Sequence, residues 1–528
     1  MLHSALAFSL LLQAAAPAPA PPPAKAGKTD APADKEKEKD KDKDKDKDKD
    51  KDKDKKEAEE KPVTTQHELR LAGRILKYSV TAGLMPLKNE QGEVEAQVFF
   101  MAYVADRTGG PEKRPLTISF NGGPGSSSVW LHLGALGPKR VKMLDDGGMP
   151  APPYALVDNE HTWLDLTDMV FIDPVGTGYS RASKPELGKK FWGLQGDIES
   201  VGEFIRLYLT RYERWGSPLF MVGESYGTTR AAGLSGYLVE QGIAFNGILL
   251  VSSILNFQTA RFTKGNDTPY ALFLPTYTAT AWYHKKLPAD LQARPVKAVL
   301  EEVRAFAGGD YTIALAKGDR LSAPERASTL DKLSRYTGLD KAWLDEANLR
   351  VEIQQFCKQL LRTDKRTVGR LDSRFKGIDE DSVSAEPAFD PSMAAIRPPY
   401  TAAFNAYVRG QLGYKSDLPY YILGGGISTP WDFGRAGSGF ADTSEALRSA
   451  FSKNPAMRLF VASGYYDLAT PFFATEYTLA HMGLDPSQRS RIVTHEYEAG
   501  HMMYIKLEEL AKLKKDVAEF IESSLPAK

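Results

Sequence analysis

Ser225 stands in the run Leu219-Phe220-Met221-Val222-Gly223-Glu224-Ser225-Tyr226-Gly227. There an apolar stretch of strand character meets Gly-x-Ser-x-Gly, and a helical pattern follows from Thr228 to Leu234. A serine hydroxyl is a weak nucleophile unless it is held clear of the backbone beside a base. A sharp strand-to-helix turn does this, and the flanking glycines suit so tight a bend. The pattern predicts a hydrolase with Ser225 as nucleophile.

Such a serine needs a histidine base, and the base needs an acid to orient it. On a sheet with strand–turn–helix nucleophiles the chain order is serine, acid, histidine. Asp467 ends Arg458-Leu459-Phe460-Val461-Ala462-Ser463-Gly464-Tyr465-Tyr466-Asp467, an apolar strand closed by a glycine turn. It is therefore delivered at the carboxyl end of a strand, where the sites of open α/β sheets lie. Past the acid come His481, His495 and His501. His481 falls on a helical pattern and His495 within a strand. His501, in Glu498-Ala499-Gly500-His501-Met502 just beyond a strand end, is the expected base.

The developing oxyanion needs two N–H donors. Tyr226, after the nucleophile, supplies one. The other is expected from Phe120-Asn121-Gly122-Gly123-Pro124-Gly125, a glycine-rich loop after the strand Thr117-Ile118-Ser119-Phe120. Zinc chemistry is disfavoured, because His495-Glu496 and His501 lack the His-Glu-x-x-His spacing. Neither a Walker A run nor a Gly-x-Gly-x-x-Gly after a first strand is present, so no nucleotide or other cofactor is expected.

The elements that must hold these residues are legible as short apolar runs. Strands are expected over 94–106, 115–120, 168–173, 218–222, 246–252, 457–463 and 490–497, with helices over 197–212, 228–240 and 505–523. Alternation of this kind implies an α/β sheet covered on both faces. From 256 to 418 the pattern becomes amphipathic and charged, with helices expected over 288–307, 324–336 and 341–361. That segment reads as a mostly helical insertion.

The chain of 528 residues has room for a large core, and 68 Lys+Arg against 68 Asp+Glu argue against a nucleic-acid partner held by phosphate contacts. The apolar stretch from Ala5 to Leu12, followed by Ala14-Ala15-Ala16, resembles a secretory signal peptide and is too short to span a bilayer. Export, to a periplasm or the medium, is the expected localisation. A Pro/Ala tract and a long Lys/Asp alternation follow, with nothing apolar to bury, and are expected to be a disordered linker. A single cysteine, Cys357, excludes an intrachain disulfide.

Five blocks together resemble the serine carboxypeptidase family: Asn121-Gly-Gly-Pro-Gly-Ser-Ser-Ser128, Asp173-Pro-Val-Gly-Thr-Gly-Tyr-Ser180, Gly223-Glu-Ser-Tyr-Gly227, Gly464-Tyr-Tyr-Asp467 and Ala499-Gly-His-Met502. With its lone cysteine the chain looks like a bacterial-type member. The resemblance implies an α/β-hydrolase fold with a helical cap. It implies a Ser225–Asp467–His501 triad and an oxyanion hole from the Gly123 and Tyr226 N–H groups. It also implies substrate contacts from Asn121, Gly122, Glu224 and Met502, with Asn121 and Glu224 taking the C-terminal carboxylate of a peptide. A carboxyl group binds a carboxylate only when a proton is shared, which favours peptidase action at acidic pH. The organisation expected is a signal segment 1–16, linker 17–61, hydrolase core 62–255, cap 256–418 and second core part 419–528.

Three departures from the family pattern stand out. Ser126 replaces a usual cysteine, Ser119 a usual tryptophan, and Ala135 a second carboxylate-binding glutamate. The expected activity is release of C-terminal residues from peptides or proteins. An esterase or acyltransferase on the same residues, or a catalytically inactive binding protein, are the other readings.

Overall fold

The computed structural model describes residues 61–106, 113–434 and 439–525. The signal-like segment and all but the last residue of the linker lie outside the described residues.

A ten-stranded mixed sheet organises the described chain. Its main path is built from β1 (Val63–Leu71), β2 (Arg74–Lys88), β3 (Val94–Ala105), β4 (Leu116–Phe120), β5 (Asp168–Ile172), β6 (Leu219–Ser225), β7 (Gly247–Ser253), β8 (Arg458–Gly464) and β9 (Ile492–Tyr497). The spatial order is β1-β2-β3-β5-β4-β6-β7-β8-β9, with the short strand Arg181–Ala182 beside β3. β1, β2 and β3 form an antiparallel meander, and β3 meets β5 antiparallel. From β5 through β9 every pairing is parallel.

The parallel strands are apolar end to end because both faces are covered. Successive side chains divide between two cores. Phe220, Val222, Leu249, Val251, Phe460 and Ala462 pack with Leu513, Val517 and Phe520 of the last helix (Leu507–Ser523). Met221, Ile248, Leu250, Leu459 and Val461 pack on the other face, with Phe204 and Ile205 from the helix Leu194–Arg211 and Leu234 and Leu238 from the helix Tyr226–Glu240.

The strands β1 and β2 are absent from the sequence-based expectation. β1 alternates exposed and half-buried positions and carries Thr-Thr-Gln-His-Glu, so it lacks the apolar run that marks a buried strand.

Between β7 and β8 the described chain is largely helical, with its own core around Tyr277, Val299, Val303, Leu333 and Phe356. Two helices there are broken where one was expected. Pro295 divides Ala289–Gln292 from Val296–Phe306. Asn348 and Leu349, both at positive φ, separate Lys341–Glu346 from Ile353–Gln359. The helix Pro391–Gly410 runs through Pro398 and Pro399, residues that read as helix breakers in sequence.

Candidate active site

The three residues expected to carry the chemistry converge at the carboxyl edge of the parallel strands. Ser225 is the last residue of β6, between β4 and β7. Asp467 follows β8 and His501 follows β9, the next strands along. Parallel neighbours end at one edge of a sheet, so residues far apart in sequence meet there.

Ser225 has φ +61° and ψ −131°, a conformation L residues rarely adopt, and its side chain does not cap the helix that begins at Tyr226. It is the one half-buried position in β6, whose other residues are buried. The bend is tight enough that a β-carbon on Gly223 would lie 2.1 Å from the Gly227 carbonyl oxygen. Tyr226 opens the following helix, so its N–H has no intrahelical acceptor. In the facing loop, Gly123 is the only exposed residue from Asn121 to Ser128.

Asp467 is completely buried. Its carboxylate accepts from the Ala469 N–H at 2.8 Å, the Thr470 N–H at 3.0 Å and the Thr470 hydroxyl at 2.6 Å. His501 Nδ1 lies 2.7 Å from Asp467 Oδ2 and 3.2 Å from Thr470 Oγ1. The backbone of His501 is held as well: its N–H donates to the Leu371 carbonyl at 2.7 Å, and its carbonyl accepts from the Ser252 hydroxyl at 2.6 Å. Ser225 is not among these hydrogen-bond partners, although β7, which bears Ser252, pairs with β6 through Ser225 and Ser253. Burial by itself opposes a charged imidazole. The Asp467 carboxylate and its hydrogen bond, with Glu224 adding to them, nevertheless hold the His501 pKa above the usual histidine value.

Glu224 is buried beside this pair, and burial pushes its carboxyl up to about 7. The Tyr504 hydroxyl donates to its Oε2 at 2.5 Å. Asn121 turns its Oδ1 away to accept from the Leu131 N–H at 3.0 Å. Its Nδ2 exerts a small downward pull on Glu224, yet it is buried and makes no full hydrogen bond. Gly122 is buried behind Gly123, and Met502 is 4% exposed within the core beneath the helix Leu507–Ser523.

The other histidines past the acid are engaged elsewhere. His495 Nδ1 is 3.3 Å from Asp516, while its neighbour Glu496 meets Arg304 and the Tyr465 hydroxyl. His481 Nδ1 lies 2.7 Å from the Tyr477 carbonyl. Ser126, in the place of the family's cysteine, accepts from Trp130 Nε1 at 2.8 Å.

Four contributors went unread in the sequence: Thr470, Ser252, Tyr504 and Arg230. Arg230 donates to the Asn121 carbonyl at 2.7 Å and to Asp197 Oδ2 at 2.8 Å, which ties the glycine-rich loop to the helix after the nucleophile. Thr470 lies three residues past the acid and Tyr504 three past the base. That proximity was the only signal available for either.

Residues 74–285 match the family model described as serine carboxypeptidase. Serine carboxypeptidase-like 5 of Arabidopsis thaliana is 30% identical over 153 residues, which is 27% of this chain and 33% of that protein. Pheromone-processing carboxypeptidase KEX1 of Saccharomyces cerevisiae is 34% identical over 159 residues, 28% of this chain and 20% of that protein. The chain thus spans no more than a third of the length of either relative. These are plant and yeast proteins and lend no support to a bacterial type. The crystal structure of the prohormone-processing carboxypeptidase from Saccharomyces cerevisiae superposes with a TM-score of 0.51 at 16% identity, covering 84% of this chain and 91% of that one. Residues 74–285 therefore carry the sequence pattern of the serine carboxypeptidase family, and the described chain folds as an α/β-hydrolase.

Proposed function

We propose that the chain is a serine-type carboxypeptidase that removes C-terminal residues from peptides or proteins through an acyl-enzyme on Ser225. The observation that carries the reading is the buried Asp467–His501 hydrogen bond, at the strand edge where Ser225 sits in its strained turn. His501 takes the Ser225 proton as Oγ attacks the scissile carbonyl carbon. The oxyanion is stabilised by the N–H groups of Tyr226 and Gly123. Collapse expels the C-terminal amino acid, whose amine takes the proton from His501. Water, deprotonated by His501, then attacks the ester carbon and frees Ser225. Asp467 holds the imidazole in one tautomer and stabilises its charged form.

A protonated Glu224 and the Nδ2 of Asn121 receive the substrate carboxylate on the leaving-group side, with Gly122 and Met502 packed behind them as the further substrate contacts. Export fits the signal-like start, and residues 256–418 act as the cap that shapes the pocket. The bacterial-type reading rests on the single cysteine alone. No helix among the described residues is long and apolar enough to cross a membrane. An esterase on the same triad is favoured by one feature, the missing acid at Ala135.

The test is hydrolysis of a blocked dipeptide against its C-terminal amide and ester, in wild type and Ser225→Ala. Cleavage of the free acid over the amide, lost in the variant, supports the peptidase. Turnover of the ester alone transfers the reading to an esterase. Failure of a serine-directed phosphonate to label Ser225 overturns both.

A further inference from the structure

Glu224 is a buried carboxyl, and a buried carboxyl without a partner is costly. Its hydroxyl partner comes from an unexpected direction. Tyr504 lies in the short 3-10 turn Met503–Ile505, so the segment that carries His501 also carries a donor to Glu224. Both side chains are out of solvent. The tyrosine ring occupies space that a larger neighbour would deny it. A β-carbon on Gly134 would stand 2.4 Å from Tyr504 Cε2 and 2.6 Å from the Tyr400 hydroxyl. Residue 135, next along that turn, is alanine.

We infer that Tyr504 is a positioning residue for the substrate carboxylate site: its hydroxyl fixes Oε2 of Glu224, leaving Oε1 and Asn121 Nδ2 to meet the C-terminal carboxylate of a peptide. It rests on the peptidase reading above and adds to it the group that orients the recognition acid and sets when that acid holds its proton.

The consequence for pH follows from the groups around Glu224. Burial favours the neutral carboxyl, and the nearby Asp467 carboxylate acts the same way. His501, the Tyr504 hydroxyl and Asn121 favour the ionised form. Tyr400, packed on the same cluster, feels the Glu224 charge as well. A hydroxyl that donates to a carboxylate stabilises the charge, so deleting that hydroxyl while keeping the ring shifts Glu224 towards its protonated form. The protonated form is the one that accepts a substrate carboxylate.

The experiment is Tyr504→Phe on the full chain, with two readouts. The infrared carboxyl band of Glu224, identified by its loss in Glu224→Gln, is titrated in wild type and variant. Its midpoint should rise by roughly one pH unit in Tyr504→Phe, the size expected for losing one hydrogen bond to a charged group. The alkaline limb of kcat/KM for a blocked dipeptide acid should move up with it, and the limb for the matching ester should not follow. In the Glu224→Gln background the alkaline limb set by Glu224 should be absent, and adding the tyrosine change should leave the dipeptide-acid profile as it is, because the group it acts through is gone. An unmoved infrared midpoint in Tyr504→Phe overturns the inference. A shifted midpoint in a protein that cleaves the ester but not the peptide acid upholds the hold of Tyr504 on Glu224 and overturns the peptidase reading instead.

Discussion

Gly122 packs against the nucleophile turn so closely that a β-carbon on it would stand 2.4 Å from the Tyr226 nitrogen and 2.8 Å from the Glu224 carbonyl oxygen. The two loops that carry the candidate oxyanion donors are therefore in backbone contact, with no side chain between them. Gly122→Ala must push them apart. We expect kcat/KM to fall by about 10² or more, the scale for losing one oxyanion donor, with the thermal transition still cooperative. Wild-type turnover in this variant would remove the Gly123 N–H from the mechanism.

Ser225 stores strain that glycine would not. A non-glycine residue at such a φ costs on the order of 1–3 kcal/mol. Ser225→Gly should therefore be more stable than wild type by about 1 kcal/mol in urea unfolding and catalytically dead. A variant less stable than wild type would mean that the turn is not strained.

Two buried groups bracket the pH profile. If Glu224 receives the substrate carboxylate as proposed, it does so only while protonated, so binding of a peptide acid should be present below a pH of about 7 and lost above it. As the proposed base His501 acts only while neutral, so its raised pKa should remove that function as pH falls. The acid optimum suggested by the sequence thus contracts to a bell near neutrality for peptide acids, while ester hydrolysis keeps only the His501 limb. Rate profiles for the two substrates test this directly. Identical profiles would remove Glu224 from carboxylate recognition.

Arg230 and Asp197 are 1% and 2% exposed, and Arg230 also holds the Asn121 carbonyl. Removing one partner of such a pair leaves a buried charge uncompensated and costs about 3–5 kcal/mol. Arg230→Ala should lose that much in denaturant unfolding and should slow turnover beyond what the residual folded fraction explains. A stability loss below about 1 kcal/mol would show the pair to be dispensable.

Asp467→Asn keeps the shape of the site but lets the imidazole adopt the wrong tautomer. A fall in kcat of about 10⁴ is expected. Thr470→Val removes a single donor to the same carboxylate and should cost far less. Equal losses in the two would shift the orienting role from the aspartate to its surroundings.

Much of this site is visible in the chain. The apolar run into Gly223-Glu-Ser-Tyr-Gly227 gave away the strand, the turn and the helix, because each is a local pattern of period and residue size. The order of Ser225, Asp467 and His501 followed from which strands end in which turns. The meander of β1 and β2 did not follow: β1 is half-solvated and has no apolar run, and β2, largely buried from Ala82 to Leu87, carries Gly83 and Pro86, which weaken a strand pattern.

What only the tertiary structure decided is who partners the buried polar groups. Tyr504 meets Glu224 across 280 positions of sequence, Ser252 meets His501 across 249, and Arg230 meets Asn121 across 109. Periodicity encodes how a segment curls and which face it buries. It says nothing about which distant segment ends at the same strand edge, and there the demand that every buried donor and acceptor find a partner is met by whatever packing brings within about 3 Å.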